Sequence, residues 1–160
     1  SGLYRVTRFI PADEIRMGLA GKRRKSRELA LQSLFQLEIS EYPMTEILRF
    51  RWLDKKYSAE IIEYAREIIR GTTGNLKEID ECIRTQVEHW DFGRISNIDK
   101  CILRFSTYSL LFEKDAPHTV VIDEAVEIAK IYGADDSYKF VNGVLDGIWK
   151  FYGEPARIKK

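Results

Sequence analysis

Apolar residues recur every three or four positions along most of this 160-residue chain, and this spacing constrains its fold more than any other feature. In the clearest case, Ile61, Ala65 and Ile68 fall on one side of a helix with 3.6 residues per turn. No segment alternates apolar and polar residues with period two for long enough to form a sheet. The pattern predicts an all-α protein, a compact bundle of about seven helices joined by short loops.

Breaks in the apolar pattern divide the chain into the predicted helices. Pro43 separates the first two helices, and Gly133 ends the sixth. Either Asp135 or Asp136 is expected to cap the seventh, and Pro155 follows its end. The predicted helices cover residues 22–40, 47–53, 58–70, 76–90, 98–112, 120–132 and 136–152.

The length fits one domain or two small subdomains that share a core, and the 44% hydrophobic content suffices for a packed interior. Residues 1–21 are predicted to be an extension of native or vector origin, residues 22–152 the helical domain, and residues 153–160 a basic C-terminal tail. No apolar run approaches the roughly 20 residues that span a bilayer, and no signal peptide is visible. Cys82 and Cys101 lack CxxC spacing and are predicted to be buried thiols. We therefore expect a cytoplasmic protein.

The sequence signatures of enzymes, metal sites and cofactor sites are missing. Residues 18–22 resemble a phosphate-binding loop only faintly, because Arg16 occupies the position of its first glycine and Arg23 that of its Ser or Thr. His89 and His118 have no metal-ligand spacing with each other or with the cysteines. We therefore expect no catalysis, no cofactor and no bound metal.

Residues 22–27 place five positive charges directly before the apolar pattern of the first helix. Residues 1–27 carry eight Lys or Arg against two acidic residues, a net charge of +6, whereas the rest of the chain carries 18 basic against 23 acidic residues, a net charge of −5. Such segregated charge indicates a polyanionic partner, with nucleic acid as the first candidate. A solubilising tail is the alternative interpretation of the same run.

Three segments carry a resemblance to a known family. The first is residues 24–35, with the basic run and Leu34-Phe35, and the second is residues 98–110. The most specific is residues 124–146, which contain the run Lys-Phe-Val-Asn-Gly-Val-Leu at 139–145. Over about residues 22–150, the chain resembles the NusB transcription antitermination family.

The resemblance implies an all-helical fold of two packed halves and no catalysis. It implies binding of boxA-type single-stranded RNA, which is found in ribosomal RNA operon leaders. The implied partners are NusE, a small-subunit ribosomal protein, and the RNA polymerase elongation complex, and some family members also form homodimers.

The resemblance also implies a set of RNA-binding residues. Phe35 stands where the family often has Tyr, so a stacking face is retained and one hydroxyl is lost. For three of the residues a structural role is the alternative: Asp136 as a helix cap, Phe140 as core, and Tyr132 as the edge of an apolar face. The implied RNA-binding residues are Lys22, Arg23, Arg24, Lys25, Arg27, Phe35, Asp99, Tyr132, Asp136, Lys139 and Phe140.

Two other functions fit the same features. A related helical domain begins certain ribosomal RNA cytosine methyltransferases, where it would bind the substrate RNA, although no methyl-donor site follows the last helix here. The third interpretation is a generic helical protein-interaction adaptor whose basic run serves solubility.

Overall fold

The structure, a computed structural model, describes residues 17–88 and 91–158 of the chain. Every regular element in these residues is helical, which confirms the predicted all-α fold, and all seven predicted helices are present. The helices are α1 (Leu19–Ile39), α2 (Met44–Arg49), α3 (Ala59–Gly74), α4 (Leu76–Gln86), α5 (Asn97–Phe112), α6 (His118–Tyr132), α7 (Ser137–Ile148) and α8 (Glu154–Ile158). A 3₁₀ turn (Phe92–Arg94) precedes α5, and a π-helical turn (Trp149–Gly153) joins α7 to α8. None of the helices in the described ranges is both long enough and apolar enough to cross a membrane.

The chain forms two compact units, of which the first ends at Ile69 and the second begins at Arg70. The core of the first unit is built on the apolar sides of α1 and α3, where Leu29, Ile61 and Ile68 are fully buried. Each such side chain contributes about 1.5–3 kcal/mol by leaving water. Ser26 Oγ donates a hydrogen bond of 2.8 Å to Ile61 O and thereby fixes the start of α1 on α3.

The second unit is organised around α5. This helix is buried over most of its circumference, from Asp99 to Leu110, because it packs against α4, α6 and α7. Apolar residues occur on more than one side of residues 98–112, as expected of a central helix. Phe112, the last residue of the helix, is 38% exposed.

The helix ends of the second unit differ in detail from the predicted ones. Ser96 caps α5, since its Oγ accepts a hydrogen bond of 3.1 Å from Asp99 N. Asp136 occupies the N-cap position of α7 but makes no capping hydrogen bond with its side chain. Ser137 Oγ instead accepts from Ala134 N at 2.9 Å, so the neighbouring residue stabilises this loop.

The chain continues as helix beyond the predicted end of α7. Gly153 is buried in the π-helical turn, where a Cβ atom would overlap the Trp149 ring. Pro155 lies in the first turn of α8, directly after the π-helical turn. Residues 154–158 of the predicted basic tail are thus helical.

Candidate nucleic-acid interface

The cationic turns of α1, residues 22–27, are part of the helix itself. The helix begins at Leu19, three residues before the predicted start, after Gly18 in an extended conformation. Ser26, the uncharged residue of the run, is buried and bonded to the backbone of α3. The positive side chains therefore extend from a fixed backbone, and a bound polyanion needs to order the side chains alone.

Lys22, Arg23 and Arg27 make contacts within the first unit. Arg23 Cζ lies 3.9 Å from the centroid of the Tyr64 ring, and Arg27 Cζ lies 5.8 Å from the same centroid. Arg27 is only 6% exposed. Lys22 Nζ forms an ion pair of 3.1 Å with Glu60 Oε2. These side chains shape and support the surface, and Arg27 has the least access to a ligand.

Arg24 and Lys25 lie on the half-buried side of α1. The Lys25 ammonium is 3.9 Å from Glu28 Oε1, a long and partly exposed pair that holds it weakly. Lys25 Nζ also lies 6.0 Å from the centroid of the Tyr57 ring.

Phe35, also half-buried, follows Arg24 by eleven residues, so it shares that face of α1 but lies about 16 Å farther along the axis. Phe35 and Arg24 therefore cannot contact the same nucleotide.

The second unit contains an open groove of about 740 Å³, which we call the acidic groove. The 3₁₀ turn, the start of α5 and the loop from α6 to α7 form it. The structure brings three of the predicted site residues together here: Asp99, Asp136 and Phe140. Tyr132 and Lys139 do not line it, although Lys139 Nζ lies 3.9 Å from Asp136 Oδ1. The lining residues are Asp91, Arg94, Ile95, Ser96, Asp99, Ala134, Asp135, Asp136, Ser137 and Phe140.

Asp99 is the buried member of this groove, with 9% exposure. Its Oδ2 accepts a hydrogen bond of 3.1 Å from Ser137 Oγ, which joins the start of α5 to the start of α7. Its Oδ1 has no hydrogen-bond partner among the described residues. Buried polar atoms without a partner are rare, so this carboxylate retains the capacity to accept one more donor.

The charge of the acidic groove determines which ligands it can take. Four carboxylates and one guanidinium, that of Arg94, are found among the residues that line it. A phosphate would be repelled, whereas the amino and imino donors of a base edge or a cationic group would be accepted. Among the described residues, no three or more His, Cys, Asp or Glu side chains are placed so that together they could hold a metal ion.

Several residues at these sites are absent from the sequence-based set. Tyr57 and Tyr64 carry the cation–π contacts of the first unit, and Ser137 and Arg94 belong to the acidic groove. An aromatic residue in a helical pattern looks like core, and no local signal identifies the cation that it will contact. Ser137 lies inside the segment with the family resemblance and directly follows Asp135 and Asp136. This position is the sequence signal that could have assigned it to the site.

The fold and the two sites define a class of small all-helical protein with a cationic first helix. The chain belongs to the NusB family, whose model matches residues 24–150. It is 47% identical over 130 residues to the transcription antitermination protein NusB of Treponema pallidum, a match that spans 80% of this chain and 92% of the relative. The family resemblance of the sequence is thereby confirmed.

Solved structures of the family share the fold. The chain matches a structure of NusB from T. maritima with a TM-score of 0.77 and 43% identity, over 86% of this chain and 97% of the other. A crystal structure of the antitermination factors NusB and NusE in complex with dsRNA gives a TM-score of 0.69 over 82% and 98% of the two chains. At 24% identity, the latter supports the fold alone.

Proposed function

We propose that this protein is a non-catalytic, cytoplasmic RNA-binding factor of transcription antitermination. It binds boxA-type single-stranded RNA from ribosomal RNA operon leaders together with NusE, and it acts on the elongation complex of RNA polymerase. The observation that carries this proposal is the set of cationic turns on α1 in a chain of the NusB family. The relatives bear the name of transcription antitermination proteins, and a structure with the same fold is described as a complex with NusE and dsRNA.

Phosphate binding is the role of the cationic turns in this proposal. Each Lys or Arg that neutralises a phosphate releases counterions, which provides affinity with little dependence on base sequence. Arg24 and Lys25 can be tested for this role without disturbing the packing on the Tyr64 ring, which Arg23 and Arg27 provide.

Base recognition is the role of the acidic groove. Single-stranded RNA is read through bases that leave the stack and meet aromatic rings and polar groups. Phe140 offers a half-buried ring, Asp136 an exposed carboxylate, and Asp99 a carboxylate oxygen that lacks a donor. Tyr132 and Lys139 flank this groove at the ends of α6 and α7 and are proposed to contact the RNA from its rim. Phe35 adds a separate stacking position on α1.

The partner NusE is proposed to raise affinity and selectivity. A single cationic helix face binds RNA mainly by electrostatic attraction. A second protein that extends the RNA-binding surface adds further contacts to the same RNA and so raises its affinity. A homodimer is the alternative assembly, and it would compete for the surface that the RNA needs.

The test compares two double variants with the same loss of charge. Arg24→Gln with Lys25→Gln removes two half-buried cations of α1, whereas Arg70→Gln with Lys77→Gln removes two exposed cations elsewhere. Arg23 and Arg27 are left in place because they pack on Tyr64, so their loss would disturb the fold. Affinity for a boxA oligonucleotide is measured across a salt series, with NusE present and absent.

We expect the α1 double variant to lower the magnitude of the slope of log affinity against log salt by about 1.4, and the control to change it far less. Equal effects of the two double variants would contradict the assignment to α1. A wild-type protein that does not prefer boxA over a scrambled sequence, even with NusE, would instead favour the helical adaptor.

A further inference from the structure

The loop between α2 and α3 is rich in basic and aromatic residues that the sequence-based site leaves out. Residues 51–57 read Arg-Trp-Leu-Asp-Lys-Lys-Tyr, with three cations, two aromatic rings and one acidic residue. The loop lies in the first unit, as α1 does, and its last residue contacts a cation of α1.

The first part of this loop is held in place by the protein. Phe50 ends α2 in a left-handed conformation with φ of 57°, and it is 8% exposed. The ring centroids of Phe50 and Trp52 are 6.0 Å apart, and Trp52 Nε1 donates a hydrogen bond of 3.0 Å to Ile47 O. The loop therefore leaves α2 from a fixed point and returns to α3 at Ala59.

Two ammonium groups lie at the Tyr57 ring, one from the loop and one from α1. Lys55 Nζ is 5.8 Å and Lys25 Nζ is 6.0 Å from the ring centroid. Both distances are near the outer limit of about 6 Å for a cation–π contact, so the ring holds neither ammonium strongly. Tyr57 itself is half-buried. A half-buried aromatic ring thus has two ammonium groups about 6 Å from its centroid.

We propose that Tyr57, Lys25 and Lys55 form a nucleotide subsite for single-stranded RNA. One base stacks on the Tyr57 ring, and the phosphates on its two sides pair with the ammonium groups of Lys25 and Lys55. The inference rests on the proposed RNA-binding function and extends the RNA path from the cationic turns of α1 onto the loop.

The chemistry of the subsite favours a nucleotide over an acidic peptide. Two lysines would serve either ligand, since both carry negative charge. The aromatic ring distinguishes them, because every base has a π face that stacks on Tyr, whereas an Asp or Glu side chain gains nothing from it. Recognition by stacking and charge is tolerant of sequence, so the subsite adds affinity more than selectivity.

Two matched pairs of variants test the subsite. Tyr57→Leu removes the stacking face and keeps an apolar side chain, whereas Tyr57→Phe keeps the face and removes the hydroxyl. Lys55→Gln removes a charge at the ring, whereas Lys56→Gln removes the same charge one position along the exposed loop. Affinity for a single-stranded boxA oligonucleotide is measured as a function of salt, and circular dichroism checks that each variant is folded.

We expect Tyr57→Leu to weaken binding about five- to tenfold and Tyr57→Phe to leave it within about twofold. Lys55→Gln should lower the magnitude of the salt slope by about 0.7, and Lys56→Gln by less than half of that. The inference is overturned if Tyr57→Leu binds like the wild type, if Lys55→Gln and Lys56→Gln behave alike, or if the variants weaken NusE binding and not RNA binding. If the wild-type protein itself fails to bind RNA, the proposed function is overturned. That outcome is distinct from failure of the subsite, in which the wild type binds RNA and the variants bind it equally well.

Discussion

Arg104 and Asp80 form a buried ion pair in which each side chain is 11% exposed. The guanidinium donates two hydrogen bonds, of 2.8 and 3.0 Å, to the two carboxylate oxygens. Removing one partner leaves the other charge buried and uncompensated, so we expect Arg104→Ala to lower the free energy of unfolding by about 3 kcal/mol. Urea denaturation measures this change.

The exposed pair of Arg49 and Glu46 provides the control for that prediction. Arg49→Ala should lower the free energy of unfolding by less than about 0.5 kcal/mol, because water already screens the pair. Similar losses for Arg104→Ala and Arg49→Ala would show that the buried position of Arg104 does not matter.

Cys82 is a buried thiol, as the sequence predicts, and the structure adds its chemical consequence. Burial, together with the charges of Glu78 and Glu81, raises the pKa of Cys82 from 9.0 to about 11. At pH 8.5 the thiolate fraction is then on the order of a hundredfold below that of an unperturbed thiol. We expect iodoacetamide to react with Cys82 slowly in a Cys101→Ala background.

The pH dependence of that reaction has a defined sign. The rate in the folded protein should keep rising up to about pH 11, the folded pKa of Cys82, whereas the rate in guanidinium should level off near pH 9. Because the folded pKa is the higher one, the contribution of Cys82 to stability is full below pH 9 and is lost between pH 9 and about 11. Equal rates in folded and unfolded protein at pH 8.5 would contradict this assignment.

The five cations of residues 22–27 show why single residues are hard to assign from sequence. Five charges in six residues look equivalent along the chain. On a helix they point in different directions, so Arg27 becomes 6% exposed against Tyr64 while Arg24 and Lys25 are half-buried. The partner that distinguishes them lies 37 residues away in sequence, and no local pattern identifies it.

At the scale of the element, the packing of α5 on α3 predicts that residue 71 tolerates no side chain larger than that of glycine. The Tyr108 ring of α5 lies where a Cβ atom of residue 71 would be. Gly71→Ala should therefore lower the free energy of unfolding by about 1–3 kcal/mol through overpacking, despite the better helix propensity of Ala. Thermal or urea denaturation measures the change.

Gly143 in α7 is the matched control, since its Cβ would meet no atom within 4 Å apart from its chain neighbours and the backbone of its own helix. Gly143→Ala should raise the free energy of unfolding by about 0.5–1 kcal/mol, because Ala loses less backbone entropy in a helix interior. The same sign for Gly71→Ala and Gly143→Ala would rule out the close packing of Tyr108 on α3.

The helices of this fold were largely predictable because a helix with one buried side has apolar residues every three or four positions. The apolar spacing indicates α1, α3 and α5 directly. The apolar spacing gives no sign of the π-helical turn after Ile148, in which the Trp149 ring lies close to Gly153. The apolar spacing also could not indicate that Phe112 is partly exposed. Phe112 continues the spacing, but it is the last residue of the helix, and the spacing does not show where a helix ends.

At the scale of the whole molecule, the candidate sites were less predictable than the helices. The resemblance indicated Asp99, Asp136 and Phe140, which the structure brings together in one groove. The acidic character of this groove follows from Asp91 and Asp135, which lie in different loops and which sequence spacing alone does not bring together. The contact between Tyr57 and Lys25 likewise depends on the return of the loop to α1.

The charge of the chain is concentrated in its first 27 residues, and the last prediction concerns which part of them binds RNA. Residues 1–16 carry three Arg and two acidic residues, a net charge of +1, whereas residues 17–27 carry a net charge of +5. If the cationic turns of α1 hold the phosphates, a chain of residues 17–160 should keep its RNA affinity within about threefold and its salt slope within about 0.7. Fluorescence anisotropy across a salt series measures both. A slope smaller in magnitude by about 2 or more would mean that Arg5, Arg8 and Arg16 contact phosphates as well, since so few net charges cannot act at a distance through physiological salt.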